Sequence, residues 1–245
     1  MWILILDTET TGLPKTKKMD PDQWPHIVQL SYILLDVENN QPNLEKVYDR
    51  IVRIAGTIPK EASNIHGITT EQSHQKGIRI EDALETLMSD CNRVSEIVGH
   101  NIEFDVGMVV TEAMRYLKAM TEGIITRKKS ETAERLRVFL ETFQHIPRYC
   151  TMKQSTDLCA IKKRTASGKE YNKYPRLGEL HHHLFGTTPT NLHNSLVDVY
   201  VCLYCFWKLR YSMSCSLSML SSLIPLPDPM PLSKAAASLQ SAASL

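Results

Sequence analysis

Five consecutive apolar residues, Trp2-Ile3-Leu4-Ile5-Leu6, run straight into Asp7-Thr8-Glu9-Thr10-Thr11-Gly12. A short apolar run closed by a polar turn reads as a central strand buried on both faces. Residues i and i+2 of a strand share a side, so Asp7 and Glu9 project together from its carboxyl end. Two carboxylates in one site repel each other and resist double ionisation. Hard divalent cations such as Mg²⁺ or Mn²⁺, which take carboxylate oxygens, relieve that repulsion. The bland alternative is a solvated Asp-x-Glu turn closed by Gly12.

Two further segments extend the pattern. Ile97-Val98-Gly99-His100-Asn101-Ile102-Glu103-Phe104-Asp105 reads as a short strand entering a helix whose first turn carries Asp105. His193-Asn194-Ser195-Leu196-Val197-Asp198 opens a long apolar helix. At 100° per residue, five positions rotate about 500°, so His193 and Asp198 cannot share a helical face. His193 is therefore placed on the loop before the helix, with Asp198 in its first turns pointing inward.

These three motifs, D-x-E, H-N-x-x-F-D and H-x4-D in that order, resemble those of the DEDDh (DnaQ-like) 3′→5′ exonucleases of the RNase H-like superfamily. The resemblance covers residues 2–210. The sister subclass, with Y-x3-D, would need a tyrosine where Asn194 stands. Ile65-His66-Gly67-Ile68-Thr69 is similar to the family segment that contacts the terminal nucleotide.

The resemblance implies two divalent ions, Mg²⁺ or Mn²⁺, typically about 3.5–4 Å apart in such sites. Asp7 would bridge both, Glu9 and Asp198 would favour the ion of the attacking water, and Asp105 would act through bound water. His193 is the implied general base. The backbone around Thr10 and Thr11 would receive the terminal nucleotide, flanked by Leu13, Ile65, Asn101 and Phe104, with His66 also touching substrate. The implied activity releases nucleoside 5′-monophosphates from single-stranded or frayed DNA 3′ ends, in proofreading for instance. RNA trimming is the first alternative. A non-catalytic adaptor for nucleic acid or a polymerase is the second.

Composition sets outer bounds. A chain of 245 residues with 42% hydrophobic and 22% charged residues suits one sizeable core. A net charge of +1 provides no global basic field, so nucleic acid would be met by local patches. Lys162, Lys163, Arg164, Lys169, Lys173 and Arg176 form one such patch, and Lys15, Lys17 and Lys18 a second. The cysteines at 91, 150, 159, 202, 205 and 215 read as thiols of a reducing compartment, with no paired metal spacing. The apolar N-terminus is too short for a signal peptide, and no uncharged apolar stretch reaches membrane length. An intracellular protein, cytoplasmic or nuclear and without a membrane contact, is expected.

The coarse element order is strands over residues 26–37 and 47–54, a helix over 80–91, a strand over 96–100 and a helix over 104–120. Residues 121–149 read as a helical insertion with its helix over 131–143. A strand at 149–152, a helix at 155–161, a basic loop, and helices at 177–185 and 194–211 complete the series. His181-His182-His183 reads as a solvated helix face, and His100 as either a core or a site histidine. This is the order of an α/β, RNase H-like mixed five-stranded sheet flanked by helices, with strands 1, 4 and 5 parallel and the site at their carboxyl ends. Residues 1–211 are expected to form the exonuclease domain. From 212 to 245 the composition turns to Ser, Ala, Leu and Pro, which reads as a disordered C-terminal tail or a docking segment for a polymerase.

Overall fold

The computed structural model describes residues 1–15, 20–125 and 129–212. Lys17, Lys18 and nearly all of the C-terminal tail lie outside the described residues.

Strand β1 (Trp2–Thr10) occupies the centre of a five-stranded sheet. It pairs antiparallel with β2 (Ile27–Glu38), which pairs antiparallel with the edge strand β3 (Gln41–Ile51). Ile3, Leu4, Ile5 and Leu6 are all fully buried. Leu4 and Leu6 face one core cluster, while Ile3 and Ile5 face another. A continuous apolar run is what a strand covered on both faces requires.

The turn between β2 and β3 is Asn39-Asn40, both with positive φ (51° and 60°). That two-residue geometry matches the right-handed twist of the flanking strands. The strand therefore begins at Gln41, inside the polar stretch that pattern alone assigns to a loop. An edge strand with one solvated side accepts Pro42 and Asn43, because neither has to complete a central ladder.

Helices α1 (Lys60–His66), α2 (Thr70–Lys76) and α3 (Ile80–Cys91) follow β3. The first two have no counterpart in the sequence reading, being a mere seven residues each. Strand β4 (Glu96–Gly99) then runs parallel to β1, and helix α4 (Ile102–Thr121) leaves directly from its end. A Cβ on Gly99 would stand 2.7 Å from Ile102 Cδ1 and 3.0 Å from the Leu6 carbonyl, so glycine alone fits this tight exit. Within residues 121–149, α5 (Lys129–Phe143) sends Leu136, Phe139 and Phe143 into the main core.

Strand β5 (Arg148–Cys150) extends the parallel set beside β4. Short helix α6 (Thr151–Gln154) cuts off the strand expected over 149–152, and α7 (Thr156–Cys159) stands within the helix expected over 155–161. The basic loop is a hairpin of β6 (Lys162–Arg164) and β7 (Glu170–Asn172). Helices α8 (Leu177–Phe185) and α9 (Ser195–Tyr211) are the last elements among the described residues, α9 covering Ile3, Ile5 and Val98 on the opposite face from α3, α4 and α5. Among the described residues no helix is long and apolar enough to cross a membrane.

Candidate active site

The carboxyl end of β1 gathers the acidic side chains. The register against β2 shifts between Glu9 and Thr10, a bulge that turns the strand's last residues. Asp7, Glu9 and Asp198 each place a carboxylate oxygen within 4.8 Å of the other two. Burial and then the neighbouring acids Asp105, Asp198 and Glu9 hold the Asp7 carboxyl well above its ordinary range. Burial, reinforced by Asp198 and Asp105, pushes Glu9 up to about 8.

Asp105 reaches this end from the first turns of α4 but lies outside the close trio. Its Oδ1 accepts the Thr8 backbone N–H at 3.0 Å and the Thr8 hydroxyl at 2.8 Å. Burial raises it to about 7, with those two bonds pulling downward. Asp198 Oδ2 accepts the His193 backbone N–H at 3.0 Å, and burial raises this carboxyl to about 6. Its Oδ1 is shut off from solvent with no hydrogen-bond partner. A buried, unpaired carboxylate oxygen is costly. An all-oxygen donor set of crowded acids with one orphaned oxygen fits a hard divalent cation.

His193 stands before the cap of α9, as its five-residue offset from Asp198 requires, in a left-handed conformation (φ 70°) and exposed to solvent. His66 ends α1 and is buried. Its Nδ1 accepts the Ile68 N–H at 3.0 Å, so the neutral ring carries its proton on Nε2, which has no partner. Burial lowers the His66 pKa; the nearby Thr10 backbone opposes this and His193 adds to it.

The remaining substrate-side residues are less uniformly placed. Thr10 donates its hydroxyl to the Gly12 carbonyl at 2.6 Å, and Thr11 exchanges bonds with His26 through its N–H and its hydroxyl oxygen. Leu13 and Ile65 expose 79% and 59% of their surfaces, a wide display for apolar side chains. Asn101 caps α4 in a left-handed conformation with its carboxamide unused by the cap. Phe104 is partly buried and packs against the main core.

Several residues that hold the acidic cluster in place escaped motif reading. Ser195, the first residue of α9, donates its N–H to Gln29 Oε1 at 3.3 Å and bonds Ser31 through its hydroxyl. Gln29 and Ser31 both donate to Asp49 Oδ1, at 2.8 and 2.7 Å. This network seats the helix start that carries Asp198. Its one signal in the sequence is the polar pair Gln29 and Ser31, spaced by two in an otherwise apolar strand. His100 is a clasp instead of a ligand. Its Nε2–H donates to the Pro175 carbonyl at 3.0 Å, and burial lowers its pKa to about 4. His181 is buried against the Thr187 carbonyl, so the histidine triplet is not one solvated face.

A mixed sheet with an acidic pocket at its parallel strand ends defines an RNase H-like nuclease fold. The chain belongs to the RNase T exonuclease family, whose model matches residues 4–206. No curated protein matches the sequence. Among solved structures, Exonuclease I of E. coli with a dT13 oligonucleotide superposes with a TM-score of 0.56 at 17% identity, over 91% of this chain and 43% of that one. The zinc-bound E. coli complex with single-stranded DNA gives 0.55 at 17%, over 86% and 41%. Exonuclease I from Methylocaldum szegediense gives 0.54 at 17%, over 86% and 41%. The chain thus spans less than half the length of these enzymes, and the likeness speaks for the fold.

Proposed function

We propose that this chain is a DEDDh-type 3′→5′ exonuclease that removes nucleoside 5′-monophosphates from single-stranded or frayed DNA ends. The observation that carries the reading is the convergence of Asp7, Glu9 and Asp198, whose raised carboxyl pKa values and orphaned Asp198 oxygen call for cationic charge. Asp7, Glu9 and Asp198 would hold two Mg²⁺ or Mn²⁺ ions, with Asp105 completing the set. Bound divalent ions supply an acidified water and neutralise charge on the phosphate.

His193 accepts the proton of the attacking water. It is exposed and its left-handed backbone holds it beside Asp198. The water oxygen bonds to phosphorus, the bond to the 3′ oxygen breaks, and that oxygen takes a proton from solvent. Backbone at Thr10 and Thr11 seats the terminal nucleotide. Leu13 and Ile65 meet its base with their exposed apolar surfaces, while Asn101, Phe104 and His66 border it. DNA is preferred over RNA because the similar solved enzymes hold single-stranded DNA. The domain is assigned to residues 1–211, with 121–149 inserted in it and 212–245 as an appended segment able to dock a polymerase.

The test uses 5′-labelled single-stranded DNA and RNA of equal sequence with Mg²⁺, Mn²⁺ or EDTA. A ladder shortened from the 3′ end, dependent on metal and faster on DNA, is expected. Internal cuts or metal-independent cleavage would overturn the reading, and faster loss of RNA would reassign the substrate.

A further inference from the structure

We propose that the β6–β7 hairpin is an arm that grips single-stranded nucleic acid upstream of the end being cut. This rests on the nuclease reading and names a second contact region for the same substrate. Between Lys162 and Arg176 the chain carries six cations against one acid, Glu170, although the whole molecule is nearly neutral. Arg164 is paired with Glu170 and Lys173 with Glu179. The side chains of Lys162, Lys163 and Lys169 have no ion pair or hydrogen bond among the described residues.

The register decides which of these groups point outward. Lys162 faces Asn172, Lys163 faces Tyr171, and Arg164 faces Glu170. Asn172 donates its amide to Asp157 of α7 at 2.9 Å, which ties β7 to the body, while Lys162 and Arg164 on β6 remain exposed. Alternation puts Lys163 and Tyr171 together on the other face, where both are exposed. Tyr171 is 42% exposed and Tyr174, just beyond the hairpin, 58%. An exposed tyrosine beside an unpaired lysine puts an aromatic face and a cation side by side. It suits bases that stack and phosphates that follow them.

Placement ties the arm to the site. Pro175, between Tyr174 and Arg176, takes the hydrogen bond from His100, one residue before the Asn101 cap of the helix bearing Asp105. The tip is a compact turn, with Thr165 bonded to Lys169 and Gly168 at φ 82°, so the arm is pre-shaped. A strand whose terminal nucleotide sits at Asp7 would cross this hairpin with its preceding nucleotides. Stacking contributes sequence tolerance, and the three lysines make the grip salt-sensitive.

The full chain would be tested in EDTA by fluorescence anisotropy on a labelled dT strand of about 20 nucleotides. Combined Lys162→Ala, Lys163→Ala and Lys169→Ala should weaken binding about tenfold or more and reduce the salt slope by about 2. Tyr171→Ala should weaken it about tenfold with the slope unaltered, and Tyr171→Phe should restore it. In Mg²⁺ the ratio of kcat/KM on the long strand to that on a trinucleotide should fall for the lysine and alanine variants. Equal losses on long and short substrates, or none on the long one, would overturn the arm. Wild type that binds the long strand through these residues but cuts neither substrate would overturn the nuclease reading alone.

Discussion

The two ends of one sheet treat their acids in opposite ways. At the amino end of β1, Asp36 meets the Met1 ammonium, Glu96 meets Arg210, and Glu45 meets Arg93, which also stacks on Trp2. Each of these three carboxylates has a cation of the chain's own. At the carboxyl end the charges acting on Asp7 and Glu9 are other carboxylates. A sheet that matches charge locally at one end and crowds like charges at the other is strained for a purpose. The charge is relieved by protons the carboxyls keep or by a bound cation, and the second suits the metal dependence of the exonuclease family.

Asp7→Asn would break that contrast most severely. Hydrolysis should drop to background, while the metal-free protein at pH 8 should melt no lower than wild type, because one repelling charge has gone. Single-turnover assays and thermal melts check both halves. Activity within about tenfold of wild type would remove Asp7 from the ligand set.

His193→Ala should cost about 10²–10⁴-fold in rate, the usual span for a general base. The metal-induced rise in melting temperature should persist, since the bond that His193 gives Asp198 comes from its backbone N–H. Loss of that rise would mean the ring serves the cluster and not the proton.

The pH dependence of metal-free stability has a definite sign. Burial above all pushes the folded carboxyls up to about 8 for Glu9, about 7 for Asp105 and about 6 for Asp198, from ordinary values of 4.5, 3.8 and 3.8. The folded state therefore keeps protons that the unfolded chain has released, and stability should decline as pH rises from about 4 to about 8. Added Mg²⁺ or Mn²⁺ should reverse the decline, by about 2.7 kcal/mol at a hundredfold excess over the dissociation constant. Differential scanning calorimetry with and without metal at pH 5 and pH 8 tests this. A flat profile without metal would contradict the crowding of the acids.

Glu96→Gln probes the opposite end and should have the smallest effect. Losing its pair with Arg210 should cost at most about 1 kcal/mol, with exonuclease rate and metal response unaltered. A change in rate of more than about threefold would mean the two ends are coupled through α9.

Much of this was legible before any coordinates. Leu4 and Leu6 against Ile3 and Ile5 read as a doubly buried strand because continuous apolarity has few other uses. The helices expected over 80–91 and 177–185 coincide with α3 and α8. The short helices α1 and α2 were hidden because two turns are too few for a period to declare itself. β3 was half-hidden because an edge strand tolerates Pro42 and Asn43. The β6–β7 hairpin was hidden because exposed strands carry no apolar alternation.

At the site, the strand pattern singled out the paired carboxylates of Asp7 and Glu9, and the resemblance to the exonuclease motifs nominated Asp105, His193 and Asp198 beside them. What sequence could not determine is how they are held. Thr8 tethering Asp105, and Gln29, Ser31 and Asp49 seating Ser195 at the start of α9, join residues up to 166 positions apart. No local pattern encodes such contacts, because they exist only once β2 and α9 have packed on the same strand. Residue types and order determined by themselves which groups are available for the chemistry. Tertiary packing alone decided which oxygen stays unpaired, which histidine is buried, and which end of the sheet is left without its countercharge.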